Sequence, residues 1–146
     1  FFFFVLFKIL KHLTPDAPLY HFIEQALVLL DRCGGGLGNF HLVFLAGLSD
    51  YLGFSPQLPD DDNLSYFDME DGVFGRVQPQ HPHYLHGEAT QRFRLLYALR
   101  LDSLDKLPLT RRQRAESLEH FIEFFRLHLP DLQELKSVEV MHHLWD

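Results

Sequence analysis

Three histidines crowded into six residues, His81, His83 and His86 in HPHYLHG, are the side chains of this sequence best suited to chemistry. Imidazole is a ligand for zinc, nickel and copper, and its ring titrates near neutral pH. No cysteine accompanies the cluster, no helical spacing sets its geometry, and Pro79 and Pro82 restrict the backbone around it. No metal ligand set is therefore assigned, and the segment reads as a turn-rich surface loop. The acids Asp60, Asp61, Asp62, Asp68, Glu70 and Asp71 do not make a calcium loop either. Counting back from Gly72 puts Met69 and Phe67 where oxygen ligands are required.

The remaining chemical candidates are weaker. Cys33 has no base nearby in sequence and reads as a small residue closing an apolar helix. The glycines at 34, 35, 36 and 38 lack the Lys-Ser/Thr of a phosphate loop and the third glycine of a dinucleotide loop. His21, His41, His120, His128, His142 and His143 form no paired-ligand motif. At His128 a structural role is expected, a ring nitrogen bonding a carbonyl at a helix end; Arg126 is read as structural too. Arg92, Arg94 and Arg100 share one helical segment, while Arg111, Arg112 and Arg114 open another. Cations are disfavoured at a helix start, so the second cluster reads either as solvated surface or as an anion site for phosphate or a carboxylate tail. No catalytic group and no cofactor are assigned.

Apolar spacing and stop signals predict six helices to position these groups. The first covers about Phe2 to Leu13 and ends at Thr14-Pro15. The second carries Leu19, Phe22, Ile23, Ala26, Leu27 and Leu30 and is stopped by Gly34 to Gly36. Asn39 is expected to cap the third, whose buried stripe is Phe40, Phe44, Leu48 and Leu52. Residues 54–87 hold Pro56, Pro59, Pro79 and Pro82 and read as a long irregular insert, with one short strand over Val73 to Val77. Helical spacing returns with Ala89, Phe93, Leu96, Tyr97 and Leu101. It recurs after the cap Thr110 with Ala115, Leu118, Phe121, Ile122 and Phe125. Ser137 opens a sixth helix burying Val138, Met141, Leu144 and Trp145. The fold class expected is mainly α: one helical bundle of about six helices with a long irregular insert, able to hold short strands, between the third and fourth.

At 146 residues, 47% of them hydrophobic, the chain suffices for one domain, and 15 Phe and 5 Tyr make rings the bulk of its core. The net charge of -7 argues against strong nucleic-acid binding by this segment alone. A single cysteine excludes an intrachain disulfide and agrees with a cytoplasmic setting. The apolar run Phe1 to Leu10 is too short to span a bilayer; with no starting Met, it reads as a helix continuing from a longer protein.

The segment 124–140, FFRLHLPDLQELKSVEV, joins a helix end to a proline turn and a capped last helix. It resembles the C-terminal signature of the bacterial recombination mediator RecO in its Bacteroidetes form. The likeness extends to NFHLVFLAGLSDYLGFSP at 39–56, FDMEDGVFGRVQPQHPHYL at 67–85 and YALRLDSL at 97–104. It implies that residues 1–146 are the helical C-terminal domain, without the N-terminal OB-fold barrel. It also implies a non-enzymatic protein of DNA repair and recombination that works with RecR to load RecA onto DNA coated by single-strand binding protein, and that anneals complementary strands. DNA contact would come mainly from the barrel. Many relatives carry a four-cysteine zinc module in the insert; here 54–87 has no cysteine, so zinc is not carried over. Packing by Tyr66, Phe67, Val73 and Phe74 is expected to hold the insert instead. Some relatives receive the acidic tail of single-strand binding protein in this domain, for which Arg126 and Lys136 are rim candidates. Two alternatives stand beside this reading: a helical protein-interaction module of other biology, and a metal-dependent enzyme built on the three histidines.

Overall fold

A computed structural model describes residues 16–32, 37–99 and 101–129. Among them are α1 (Ala17–Arg32), α2 (Leu37–Leu52), β1 (Tyr66–Asp68), β2 (Val73–Gly75), β3 (Tyr84–His86), α3 (Glu88–Ala98), a 3-10 helix (Leu101–Lys106) and α4 (Arg111–His128). Among the described residues the expected six-helix bundle is thus corrected to four α-helices and a small antiparallel sheet. The helices predicted at Phe2–Leu13 and from Ser137 lie outside the described residues, as do Cys33, the Gly34–Gly36 stop and Lys136.

Helix α2 is the centre of the fold. Phe40, Leu42, Val43, Phe44, Leu45, Ala46 and Leu48 are all buried, the pattern of a helix covered on every side; α1, α3, α4 and the 3-10 helix all pack against it. It ends on Gly53, whose φ of 89° suits a residue without Cβ. There the amides of Gly53 and Phe54 donate to Asp50 O and Ser49 O, closing the last turn. Asn39 does not cap α2. It lies inside the first turn with 6% exposure, and its Nδ2 donates to Leu104 O at 3.0 Å and Leu107 O at 2.8 Å. A side chain expected to serve its own helix holds the segment before α4 instead.

Leu19, Ile23 and Ala26 bury one face of α1, and Phe22 stacks between Phe44 and Tyr51 at 5.4 and 4.8 Å. Gly47 makes that approach possible, since a Cβ there would stand 2.7 Å from Phe22 Cζ. At α4 the expectation holds: the Thr110 hydroxyl accepts from Gln113 N–H while the Gln113 side chain accepts from Thr110 N–H. Helix α3 stops at Ala98, so Leu101 falls in the 3-10 helix.

The insert departs most from expectation. It folds as a sheet in the order β2-β1-β3, with Phe67 opposite Phe74 on one side and Leu85 on the other. The strand signal at 73–77 therefore ends at Gly75, and two strands of three residues each lay below the length at which alternation is legible. Phe67 has no exposure and meets Phe93 at 4.8 Å and Phe124 at 5.4 Å. One fully buried phenylalanine contributes about 1.5–3 kcal/mol, so this residue anchors the sheet on α3 and α4. Val73 is corrected from a packing residue to a 52% exposed one, because it shares the outward face with Tyr66 and Asp68.

Candidate functional site

Of the histidines and arginines singled out by sequence, His81, His83 and His128 gather at the joint between the sheet and α4, and Arg92, Arg111, Arg112 and Arg114 near the start of α4. Arg94 instead fastens the insert to α3, and Arg100, His142 and His143 lie outside the described residues. The joint is built by side chains of α4 that reach the turns of the sheet. At the end of α4, the His128 ring lies parallel to Phe54 at 5.2 Å and edge-on to Phe124 at 4.8 Å. Its Nε2–H donates to Met69 O at 2.8 Å. The carbonyl expected at the helix end is thus supplied by the turn after β1. One turn back, Glu123 Oε1 stands 2.9 Å from His83 Nδ1. These two contacts tie both sides of the insert to one helix.

His81 is engaged within the insert. Its Nδ1 accepts from the His83 amide at 3.1 Å, which requires a lone pair there and leaves the proton of the neutral ring on Nε2. That N–H donates to Asp68 Oδ1 at 2.9 Å, with Glu70 Oε2 at 3.6 Å. Asp68 Oδ1 also accepts from the amides of Glu70 and Asp71. His86 is exposed at the end of β3, its ring 6.3 Å from that of Tyr84. Among the described residues no group of three or more His, Cys, Asp or Glu side chains is placed to hold a metal ion. The arrangement supports packing and hydrogen bonding.

The arginines are distributed by pairing. Arg92 bridges Glu88 at 4.0 Å and Glu116 at 3.0 Å, and Glu116 also receives Arg112 at 3.0 Å. Arg94 joins Asp62 and donates to Pro59 O at 2.8 Å, fastening the start of the insert to α3. Arg76 pairs with Asp61; its hydrogen bond lowers the Asp61 carboxyl below the usual range and raises Arg76. Arg114 lies against Gly38 and donates from Nη1 to Leu109 O at 2.8 Å. Arg111 is exposed on the first turn. Arg126 is half-buried near the end of α4, with its Nε enclosed and without a hydrogen-bond partner.

Two further groups were invisible to motif reasoning. Tyr97 meets Ser49 Oγ at 2.8 Å; because the Ser49 hydroxyl donates to Ala46 O, the tyrosine hydroxyl is the donor in that pair. Burial pushes its ionisation upward. His120, half-buried on α4, and His41 on α2 are both pushed down by burial.

The family model for the Recombination protein O C terminal matches residues 5–139. The chain belongs to this RecO family. It is 34% identical over 142 residues to the DNA repair protein RecO of Bacteroides fragilis, covering 97% of this chain and 59% of that protein. Over 139 residues it is 32% identical to the DNA repair protein RecO of Azobacteroides pseudotrichonymphae, covering 95% and 58%. The corresponding protein of Phocaeicola vulgatus is 33% identical over 140 residues, covering 96% and 58%. The chain thus spans somewhat less than three fifths of these relatives. No solved structure matches it. Membership agrees with the sequence resemblance, and no helix among the described residues is long and apolar enough to cross a membrane.

Proposed function

We propose that this chain is the helical domain of a cytoplasmic mediator of DNA repair and recombination, without covalent chemistry of its own. The family match across residues 5–139 carries this reading. In it the complete protein binds DNA mainly through a further domain, anneals complementary strands and, with RecR, helps load RecA onto DNA coated by single-strand binding protein. The engagement of His81, His83 and His128 in bonds internal to the fold favours this over a metal-dependent enzyme.

The partner surface on this domain is read at the arginines. Arg112 and Arg114 are engaged by Glu116 and Leu109 O, so with Arg111 they form the less available basic group. Arg126 is half-buried near the end of α4 and precedes Leu127, which is 36% exposed. An acidic peptide tail ending in apolar residues needs such a combination, and Lys136 would add to its rim. The test has two arms. The complete protein should anneal complementary oligonucleotides and, with RecR, speed RecA filament formation on coated DNA; a folded protein that does neither removes the mediator reading. The tail peptide of single-strand binding protein should bind, and Arg126→Ala should weaken it by about tenfold, as loss of one charge-assisted contact implies. Equal binding by both proteins removes the assignment of Arg126.

A further inference from the structure

The outer edge of β2 has features that none of the preceding functions uses. In the sheet order β2-β1-β3 that edge has no neighbouring strand among the described residues. The Met69 amide donates to His83 O and the Gly87 amide to Ser65 O, so odd-numbered positions of β1 bond toward β3. Tyr66 and Asp68 then pair with Gly75 and Val73, and alternation turns the backbone of Phe74 outward from the edge. Edge strands are ordinarily blunted by brevity, lysine, proline or a bulge; β2, three residues long, has only the first of these and still offers the Phe74 backbone. Val73-Phe74-Gly75 has no lysine or proline, and its pairing with β1 runs residue for residue. Val73 within it and Val77 just beyond it are, at 52% and 82%, the most exposed large hydrophobic residues described.

Charge selects among occupants. Residues 54–87 contain six acidic residues and a single arginine; of the acids, Asp62 is paired with Arg94 of α3 and Asp68 is bonded to His81. The single arginine, Arg76, is paired with Asp61, whereas Glu70 and Asp71 are exposed on the turn leading into β2. A polyanion is repelled by such a surface and a basic segment is attracted. We propose that the β2 edge docks an extended, basic and valine-like segment of a partner protein, which adds a strand through the Phe74 backbone. Alternate side chains would lie along Val73 and Val77, and lysines or arginines would face Glu70 and Asp71. The inference rests on the edge and its charge, so it stands or falls separately from the family reading.

The test is amide-resolved NMR of this chain titrated with a synthetic hexapeptide of alternating valine and lysine, and with its valine-glutamate counterpart. The lysine peptide should shift the Phe74 amide and slow its hydrogen exchange by about tenfold, with the response fading at high salt. The glutamate peptide should do neither. Replacing both exposed valines, Val73→Lys with Val77→Lys, should abolish the response while leaving the unfolding temperature unchanged. Equal responses to the two peptides, shifts confined to other surfaces, or no shift at about 1 mM peptide, where weak docking is still visible, would overturn the proposal. So would protection of Phe74 by oligothymidylate, or by raised protein concentration alone, which would identify a nucleic acid or a second copy as the occupant.

Discussion

Replacing Asn39 with leucine tests how the segment between α3 and α4 is held. The side chain is 6% exposed, and both protons of Nδ2 are used, on Leu104 O and Leu107 O. Leucine has a similar volume but no donor, so Asn39→Leu removes the side-chain donor of Leu104 O and leaves Leu107 O with only the Leu109 amide, 3.0 Å away. Each unsatisfied group costs about 1–3 kcal/mol. Against this, Asn39 Oδ1 is itself buried without a partner, and its removal returns part of that cost. With one group left unsatisfied and one ordinary hydrogen bond lost, the net loss is about 1–3 kcal/mol, which for a chain of this size lowers Tm by roughly 3–12 °C. Urea unfolding followed by circular dichroism gives the free energy. Hydrogen exchange should show the loss concentrated in residues 101–107. A loss below about 0.5 kcal/mol, the range of an ordinary surface substitution, would refute the reasoning. Asn39→Asp sharpens the test, because a carboxylate facing two carbonyls is disfavoured whereas its protonated form can donate once. The introduced group therefore has a raised folded-state pKa. Its stabilising contribution is present below the unfolded value of about 3.9 and lost as pH rises through the folded value, so this variant should recover toward wild type on acidification while the leucine variant does not.

Three other outcomes follow from the same geometry. Gly47→Ala gains about 1 kcal/mol of helix propensity but sets a Cβ 2.7 Å from Phe22 Cζ. With overpacking at about 1–3 kcal/mol, chemical denaturation should show a net loss, and the same substitution made with Phe22→Leu should become stabilising. Thr110→Ala removes the capping box of α4 and should cost about 1 kcal/mol in urea unfolding, with Thr110→Ser close to wild type. Burial lowers the folded-state pKa of His41 and His120, so below about 6.5 the unfolded chain takes up more protons. Stability should fall as pH drops from 6.5 through the lowered folded values, and His120→Asn should flatten that slope in thermal melts at stepped pH.

Helices with wide apolar stripes were legible because periodicity needs only neighbours along the chain. Leu19, Ile23 and Ala26, or Leu118, Phe121, Ile122 and Phe125, state their buried faces without reference to anything distant. Thr110 was legible for the same reason, since its partner is three residues away. The sheet was not, because Phe67 is committed to strand by Phe74, Leu85, Phe93 and Phe124 together. Asn39 was misread because its carbonyl partners lie 65 and 68 residues downstream. His83 was recognised as polar and unusual, but Glu123 is 40 residues away.

Sequence alone determined that the chain is mostly helical and ring-rich, and it carried the RecO resemblance that the family match bears out. Tertiary structure decided that residues 66–86 form a sheet, that His83 and His128 fasten it to α4, and that a ring nitrogen of His81 donates to Asp68. Local backbone preference and repeating apolar spacing are written in adjacent residues. The partner of a buried polar side chain depends on which distant carbonyl or carboxylate the packed core brings within about 3 Å.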